Sequence, residues 1–472
     1  MKPKTFLLIV TLLLSQMAGA QIKFQRYYGG QYDDGGSSVL QTDDGGYIIA
    51  GRTMSYGNGS NDIYILKTDA NGNELWTKTY GGNGWDAPLD MKKTLDNCYV
   101  ITGETSSFGA GASDAFLMKI DSNGDSLWFK TYGGVQDDGA SGVDVCNDNS
   151  YIVTGGTMSY GIGTGNIYLI KTNGTGDTIW TKTYGGTAFN NGYSVLQTID
   201  GGFIISGFDM SSSKNMVLIK TNNMGDLLWE KKYEFRIGLS YGSTIISTID
   251  GGYAVLGTFT EAGSFSDIKL LKVDANGDSL FTKIYGGTNN ETGADILLTN
   301  ENGFIIVGST QSYGAGGGDV FIIKTDENGL VQWTKTYGGM GYDWGGSVQQ
   351  TNDNGYIIAG YTKSFSNYYD VYLIKTDENG VSGFEKIILT GSSLKVYPNP
   401  SDGLFTIQWE DIADKNCSVQ IFNLQGQVVY KNHVNTETQD KLLIDLSKCQ
   451  KGIYFIRFTE KKKIVTNKII IY

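Results

Sequence analysis

Apolar residues in this chain fall into short runs that return on a fixed schedule. In the first complete unit the runs cover 38–42, 47–51, 62–67 and 74–80. Each is a few residues long, alternating or apolar throughout, and bounded by turn formers, as strands are. The separators are Asp43-Asp44-Gly45-Gly46, a Gly/Ser stretch over 54–61, and Asp69-Ala70-Asn71-Gly72. Gly and Asn accept the positive φ of a tight hairpin, so the unit predicts four antiparallel strands. No helical period appears in it.

The fourth run ends in Trp76-x-Lys78-x-Tyr80. The same wording returns at Trp128/Tyr132, Trp180/Tyr184, Trp229/Tyr233 and Trp333/Tyr337. Phe replaces Trp at Phe24/Tyr28 and Phe281/Tyr285, and a worn copy sits at Phe384. The steps between anchors are 52, 52, 52, 49, 52, 52 and 51 residues. A period of this length means stacked copies, because one such unit cannot bury its own apolar faces. Four strands repeated seven times predict an all-β fold, a seven-bladed β-propeller of four-stranded blades. The second and third runs, such as 356–359 and 371–374, are apolar on both faces, as blades sandwiched between neighbours require. An open β-solenoid is the alternative, but its coils are shorter and lack four turns per repeat. Eight copies of the fourth run accompany only seven of the others. The surplus copy, 22–28, is expected to pair with 371–375 and fasten the ring, which also removes exposed sheet edges. The worn copy at 383–385 would then be displaced toward the linker.

The unit resembles the bacterial seven-bladed β-propeller repeat family. That wording stands here as Asp114-Ala115-Phe116 to Lys119, Asn123-Gly124 to Trp128, Tyr132-Gly133-Gly134, Asp138, and Gly156-Thr157 without the usual spacer. The resemblance spans about 22–389 and implies a fold rather than an activity. The fourth unit departs most: Tyr233-Glu234-Phe235 replaces Tyr-Gly-Gly, and its long loop is three residues shorter.

The two ends read differently. Lys2 and Lys4, the apolar run 6–14 and Ala18-Gly19-Ala20 before Gln21 form a secretory signal over 1–20, cleaved between Ala20 and Gln21. The run is shorter than the ~20 residues of a spanning helix, and no other stretch predicts a transmembrane span. After Gly391 the period stops. Tyr397-Pro398-Asn399-Pro400 with Gly403, then Gly452 and Lys468 before Ile469-Ile470-Ile471, resembles the type IX secretion C-terminal sorting domain, subtype A. That resemblance implies recognition by the type IX machinery and a product secreted or attached to the outer surface of a Gram-negative cell. The expected organisation is a signal peptide over 1–20, a propeller over 21–389, and a sorting domain over 390–472. The alternation in the last segment predicts a small Ig-like antiparallel β-sandwich.

Charge narrows the partners. The chain carries −12; the tail from Gly391 holds 11 Lys/Arg against 8 Asp/Glu, which leaves −15 for the rest. An acidic body argues against nucleic acid or anionic membrane as the main partner. Of four cysteines, Cys417 and Cys449 share the tail and could form a disulfide outside the cytosol.

Catalytic signatures are sparse. His433, the single histidine, lies in the tail, which removes His-based triads and metal sites from the repeats. Asp121-x-Asn123-x-Asp125 and Asp274-x-Asn276-x-Asp278 open like calcium loops, but the twelfth position holds Tyr132 or Tyr285, so they read as hairpin turns. No metal and no cofactor is expected. On the long-loop end an acidic or amide residue stands six positions after the repeat Tyr: Asp34, Asp86, Asp138, Asn190, Glu291 and Asp343. A residue repeated this way reads as a loop cap. Aromatics gather on the same end: Tyr56, Phe108, Tyr160, Tyr313 and Phe365 from the long loops, with Trp85, Tyr342 and Trp344 breaking the repeat. Such rings beside carboxylates suit sugars or protein surfaces. The candidate ligand-binding set is therefore Trp85, Asp86, Tyr342, Asp343, Trp344, Tyr56, Tyr160 and Tyr313. The expected function is a non-catalytic binding or adhesion module for a glycan or surface protein. The rivals are a glycan hydrolase or lyase using two loop carboxylates, and a structural coat component.

Overall fold

The structure, a computed structural model, describes residues 21–211, 215–233, 244–260, 265–382, 394–409, 416–423, 428–436, 438–460 and 463–472. The signal segment 1–20 and the worn copy at 383–385 lie outside the described residues. Two compact units, Met1–Gly383 and Phe384–Tyr472, divide the chain. Among the described residues every regular element is a strand.

The first unit contains seven four-stranded antiparallel sheets, numbered here in chain order. Sheet one is Asp34–Gln41, Tyr47–Thr53, Asp62–Thr68 and Glu74–Tyr80. The first strands of the others are Asp86–Lys93, Asp138–Val145, Asn190–Gln197, Thr244–Ser247, Glu291–Leu298 and Asp343–Gln350. In sheet seven the fourth strand is Phe24–Tyr28, which pairs with Asp370–Thr376 from Phe24↔Lys375 to Tyr28↔Val371. The surplus N-terminal run thus pairs where its sequence predicts.

The apolar cores lie between sheets rather than within them. Ile48, Ile63 and Ile65 of sheet one pack on Met91, Ile101 and Phe116 of sheet two, and every later junction repeats the plan. A further cluster joins Ile357, Ala359, Val371 and Leu373 of sheet seven to Val39, Ile49 and Leu66 of sheet one, with Phe24 among them. The last sheet therefore packs on the first, and the array is propeller-like.

This packing explains the repeated wording. Trp, Lys and Tyr at alternate positions share one face of the fourth strand, and that face grips the Asn-Gly turn of the next sheet. A Cβ on Gly124, whose φ is +80°, would come 2.5 Å from the Trp76 ring. Lys78 Nζ lies 2.6 Å from Asp125, and the Tyr80 hydroxyl donates to Gly124 O. The hydroxyls of Tyr132, Tyr184 and Tyr285 donate in the same way to Gly176, Gly225 and Gly329. Across the seam Tyr28 donates to Gly72 O at 2.5 Å. A second repeated device sits inside each sheet: a buried third-strand lysine meets the first-turn carboxylate, as in Lys67–Asp44, Lys220–Asp200 and Lys272–Asp250.

In the second unit a three-stranded sheet (Leu394–Tyr397, Leu404–Trp409, Lys441–Asp445) and a four-stranded one (Val428–Asn435, Asn416–Phe422, Gly452–Glu460, Lys463–Ile471) share one core. Phe405, Ile407 and Ile444 meet Val419, Ile456 and Ile469 there. The Asn399 amide donates to Lys468 O at 2.6 Å and its carbonyl accepts from Ile470 N at 3.0 Å, which docks the Pro-Asn-Pro segment on the last strand. Gly403 takes φ +111°, and a Cβ there would lie 2.5 Å from the Ser447 backbone. Tyr397 is exposed and Gly452 opens its strand. Of the two tail cysteines, Cys417 is buried in this core and Cys449 packs against it.

Candidate functional site

The repeated acids of the long-loop end are loop caps. Asp86 is fully buried; it accepts from Thr105 Oγ1, from Ser107 Oγ at 2.6 Å and from Gly82 N at 2.9 Å. Asp343 is bound in the same way by Thr362, Ser364 and Gly339. Each faces a second carboxylate from a third strand, and a glycine stands between them. A Cβ on Gly81 would come 2.2 Å from Asp62 and 2.8 Å from Asp86, and one on Gly338 would meet Asp343 and Asp319 at 2.3 and 2.5 Å. Only glycine fits, which explains the first Gly of Tyr-Gly-Gly. Burial first, and then the facing carboxylate, pushes Asp62 and Asp319 above the usual carboxylate range. These pairs lie beneath the loops, out of a ligand's reach. Asp86 and Asp343 therefore leave the candidate set.

Tyr56, Tyr160 and Tyr313 leave it as well. Their hydroxyls donate to Gly29, Gly133 and Gly286 carbonyls at 2.9, 2.7 and 3.0 Å. One face of each ring packs on the third-strand ring below, Tyr64, Tyr168 or Phe321. Hydroxyl and face are thus engaged in closing the loop, the same way in sheets one, three and six.

The nonrepeating aromatics behave otherwise. Just after each capping acid, one cross-strand pair occupies the same register in six sheets: Gly35↔Arg52, Ala87↔Glu104, Gly139↔Gly156, Asn191↔Phe208, Thr292↔Ser309 and Trp344↔Tyr361. All six then bulge at the same place, so the backbone does not select the side chains. In sheet seven they are both aromatic. Trp344 and Tyr361 stack with centroids 5.2 Å apart, Tyr342 stacks on Tyr361 at 6.2 Å, and Tyr369 meets its edge at 5.1 Å. Trp85 stands two sheets further on, just ahead of the first strand of sheet two, with the Arg52 guanidinium of sheet one 5.5 Å above its ring. Tyr361 and Tyr369 were not legible as members of this group: each looks like an ordinary strand residue until the register sets it beside Trp344.

Trp344 also lines a cavity of about 740 Å³ bounded by the first strands of all seven sheets. Inside it Lys92 Nζ lies 3.0 Å from Asp90. Burial pulls the Lys92 ammonium down, but Asp90, Asp295 and Asp144 outweigh it and hold it above the usual lysine value. The three acids also serve the ring. Asp90 accepts from Val143 N at 3.1 Å, Asp144 from Gln197 N at 2.8 Å and Asp295 from Val348 N at 2.9 Å, each the backbone of the next sheet. Their signal in the sequence is that other sheets hold Ser38, Ser194, Leu40 and Leu196 at these registers. Among the described residues no cluster of three or more His, Cys, Asp or Glu is arranged to hold a metal ion.

Burial raises Asp295 to about 6, against its Val348 bond and the Lys92 charge. Its native pKa exceeds the unfolded value near 3.9, so the stability it adds is full below that value and is lost as pH climbs through about 6. Asp295→Asn is expected to shrink the stability difference between pH 5 and 7.5 by about 1 kcal/mol in denaturant titrations. An unchanged difference would refute this assignment.

Comparisons with known proteins bear on the two units separately. Residues 395–472 match the model of the secretion system C-terminal sorting domain, which implies export through type IX secretion. No curated protein matches the chain. Among solved structures, a protein of unknown function from Dyadobacter fermentans is 12% identical with TM-score 0.42, covering 75% of this chain and 98% of that one. The Pan2 WD40 domain of Neurospora crassa is 10% identical with TM-score 0.43, covering 75% and 99%. A Hadza microbial sialidase is 8% identical with TM-score 0.40, covering 68% and 74%. No helix among the described residues is long and apolar enough to cross a membrane.

Proposed function

We propose that this chain is an exported seven-bladed β-propeller that binds glycan on its long-loop face, carried across the outer membrane by a subtype A sorting tail. In this reading 1–20 is a signal peptide, 21–389 the binding body and 390–472 an Ig-like sorting domain, and the body is secreted or held at the cell surface. One observation carries the binding site. Sheets one to three and six make the Trp344–Tyr361 register from Gly35, Ala87, Gly139, Gly156, Thr292 and Ser309, among others, and fold alike. The rings of sheet seven are thus surplus to the fold. Rings left partly exposed at a cavity mouth suit the apolar face of a sugar, with hydroxyl edges for its polar groups. The loop carboxylates that a hydrolase would use are buried as caps, which favours binding over turnover.

A glycan array probed with the mature chain, with product release assayed in parallel, tests this. Binding without products is expected, and Trp344→Ala is expected to weaken the best ligand about tenfold, roughly 1.4 kcal/mol, without lowering the melting temperature. Products, or full binding by the variant, would overturn the reading.

A further inference from the structure

Arg52 and Lys363 differ from most lysines of this unit, which are paired with carboxylates across turns and junctions. Both are exposed, neither forms an ion pair with a described carboxylate, and both lie over aromatic rings. Arg52 sits 5.5 Å above Trp85, and Lys363 Nζ 5.1 Å above Tyr369. Backbone contacts bring them to one seam. Gly35, the register partner of Arg52, has no side chain, so Tyr361 lies against it; a Cβ there would stand 3.5 Å from Tyr361. Tyr369 N donates to Asp33 at 2.9 Å, and Met54 N, two residues beyond Arg52, donates to Asp33 O. One strip therefore runs from sheet seven across sheet one to the start of sheet two: Trp344 and Tyr361, then Arg52, then Trp85, with Lys363 at its sheet-seven end.

We infer that this strip takes an acidic sugar, the ring stacking on Trp344 and Tyr361 and the carboxylate meeting Arg52 and Lys363. The inference rests on the glycan-binding reading and adds the charge of the ligand to it. A guanidinium over an indole keeps its edge donors directed outward, where they can fork onto a carboxylate. The body's net negative charge opposes a long polyanion, so the ligand is a short uronate-bearing oligosaccharide. Arg52 is spared by the fold, since Gly156 and Ser309 occupy the equivalent register elsewhere.

The test uses tri- to hexa-galacturonate and the same oligosaccharides fully methyl-esterified, titrated calorimetrically into the mature chain. Methylation removes the charge and keeps the rings. The acid is expected to bind at least tenfold tighter than the ester. Arg52→Gln and Lys363→Gln should each bring the acid-to-ester ratio toward one, and Trp344→Ala should weaken both ligands. Equal affinities for acid and ester, or a ratio untouched by both glutamine variants, overturn the inference while ester binding keeps the glycan reading intact. Absence of binding to both probes, together with a blank glycan array, overturns both.

Discussion

Removal of residues 21–28 from a chain that begins at Gln21 is expected to cost several kcal/mol and to make it prone to aggregate. Those residues supply the whole fourth strand of sheet seven, from Phe24↔Lys375 to Tyr28↔Val371. With them go the buried Phe24 ring, the Lys23–Asp377 pair, the Gln25–Ser382 bond and the Tyr28 grip on Gly72. Burial of one such ring is worth about 2 kcal/mol and each lost hydrogen bond about 1 kcal/mol. The third strand of sheet seven would also become a bare edge, inviting pairing with another chain. Thermal unfolding and light scattering check this. A truncated chain that scatters light and melts like the parent would show that the N-terminal strand is an ornament.

Asp353→Ala is expected to cost about 2–3 kcal/mol, where the matching change Glu301→Ala costs under about 1 kcal/mol. Lys375 is the most buried of the third-strand lysines, its side chain 2% exposed; its ammonium lies 3.0 and 2.9 Å from the two Asp353 oxygens and 2.8 Å from Thr376 O. Burial already pulls the Lys375 pKa below the lysine range, with Asp353 opposing. For Asp353 burial pushes up, yet its bonds to Thr351 and Lys375 outweigh that and hold it low. Without Asp353 the ammonium is left with one carbonyl in a closed site. Asp353 is itself 38% exposed, so entering water offsets part of the loss. Lys324 and Glu301 are 3.3 Å apart and the carboxylate is 71% exposed, so little depends on them. Chemical denaturation separates the two variants; equal losses would contradict the account.

Much of this molecule could be read from residue order because repetition enforces it. Trp76, Lys78 and Tyr80 grip the same turn at successive junctions, so their spacing stated both the strand and its neighbour. The surplus run at 22–28 announced the seam. The site was legible only in part. Trp344, Tyr342 and Trp85 stood out by breaking the pattern. Asp86 and Asp343 recur with the repeat and read as loop caps as well as ligand candidates; loop amides and hydroxyls take up their carboxylates, and burial follows. Tyr361, Tyr369 and Arg52 sit in ordinary strand or loop wording; their grouping depends on which strand edge meets which, a long-range fact. The cavity acids were hidden for the same reason, since Asp90, Asp144 and Asp295 come from three sheets.

Hydrogen–deuterium exchange of residues 21–472 with and without hexagalacturonate probes the central proposal, a recognition surface where sheet seven meets sheet one on the long-loop side. Slower exchange is expected at 342–346, 361–369 and 33–36, with the tight-turn segments 43–46 and 69–72 unchanged. Protection confined to the tight turns, or exchange identical in both states, would contradict it.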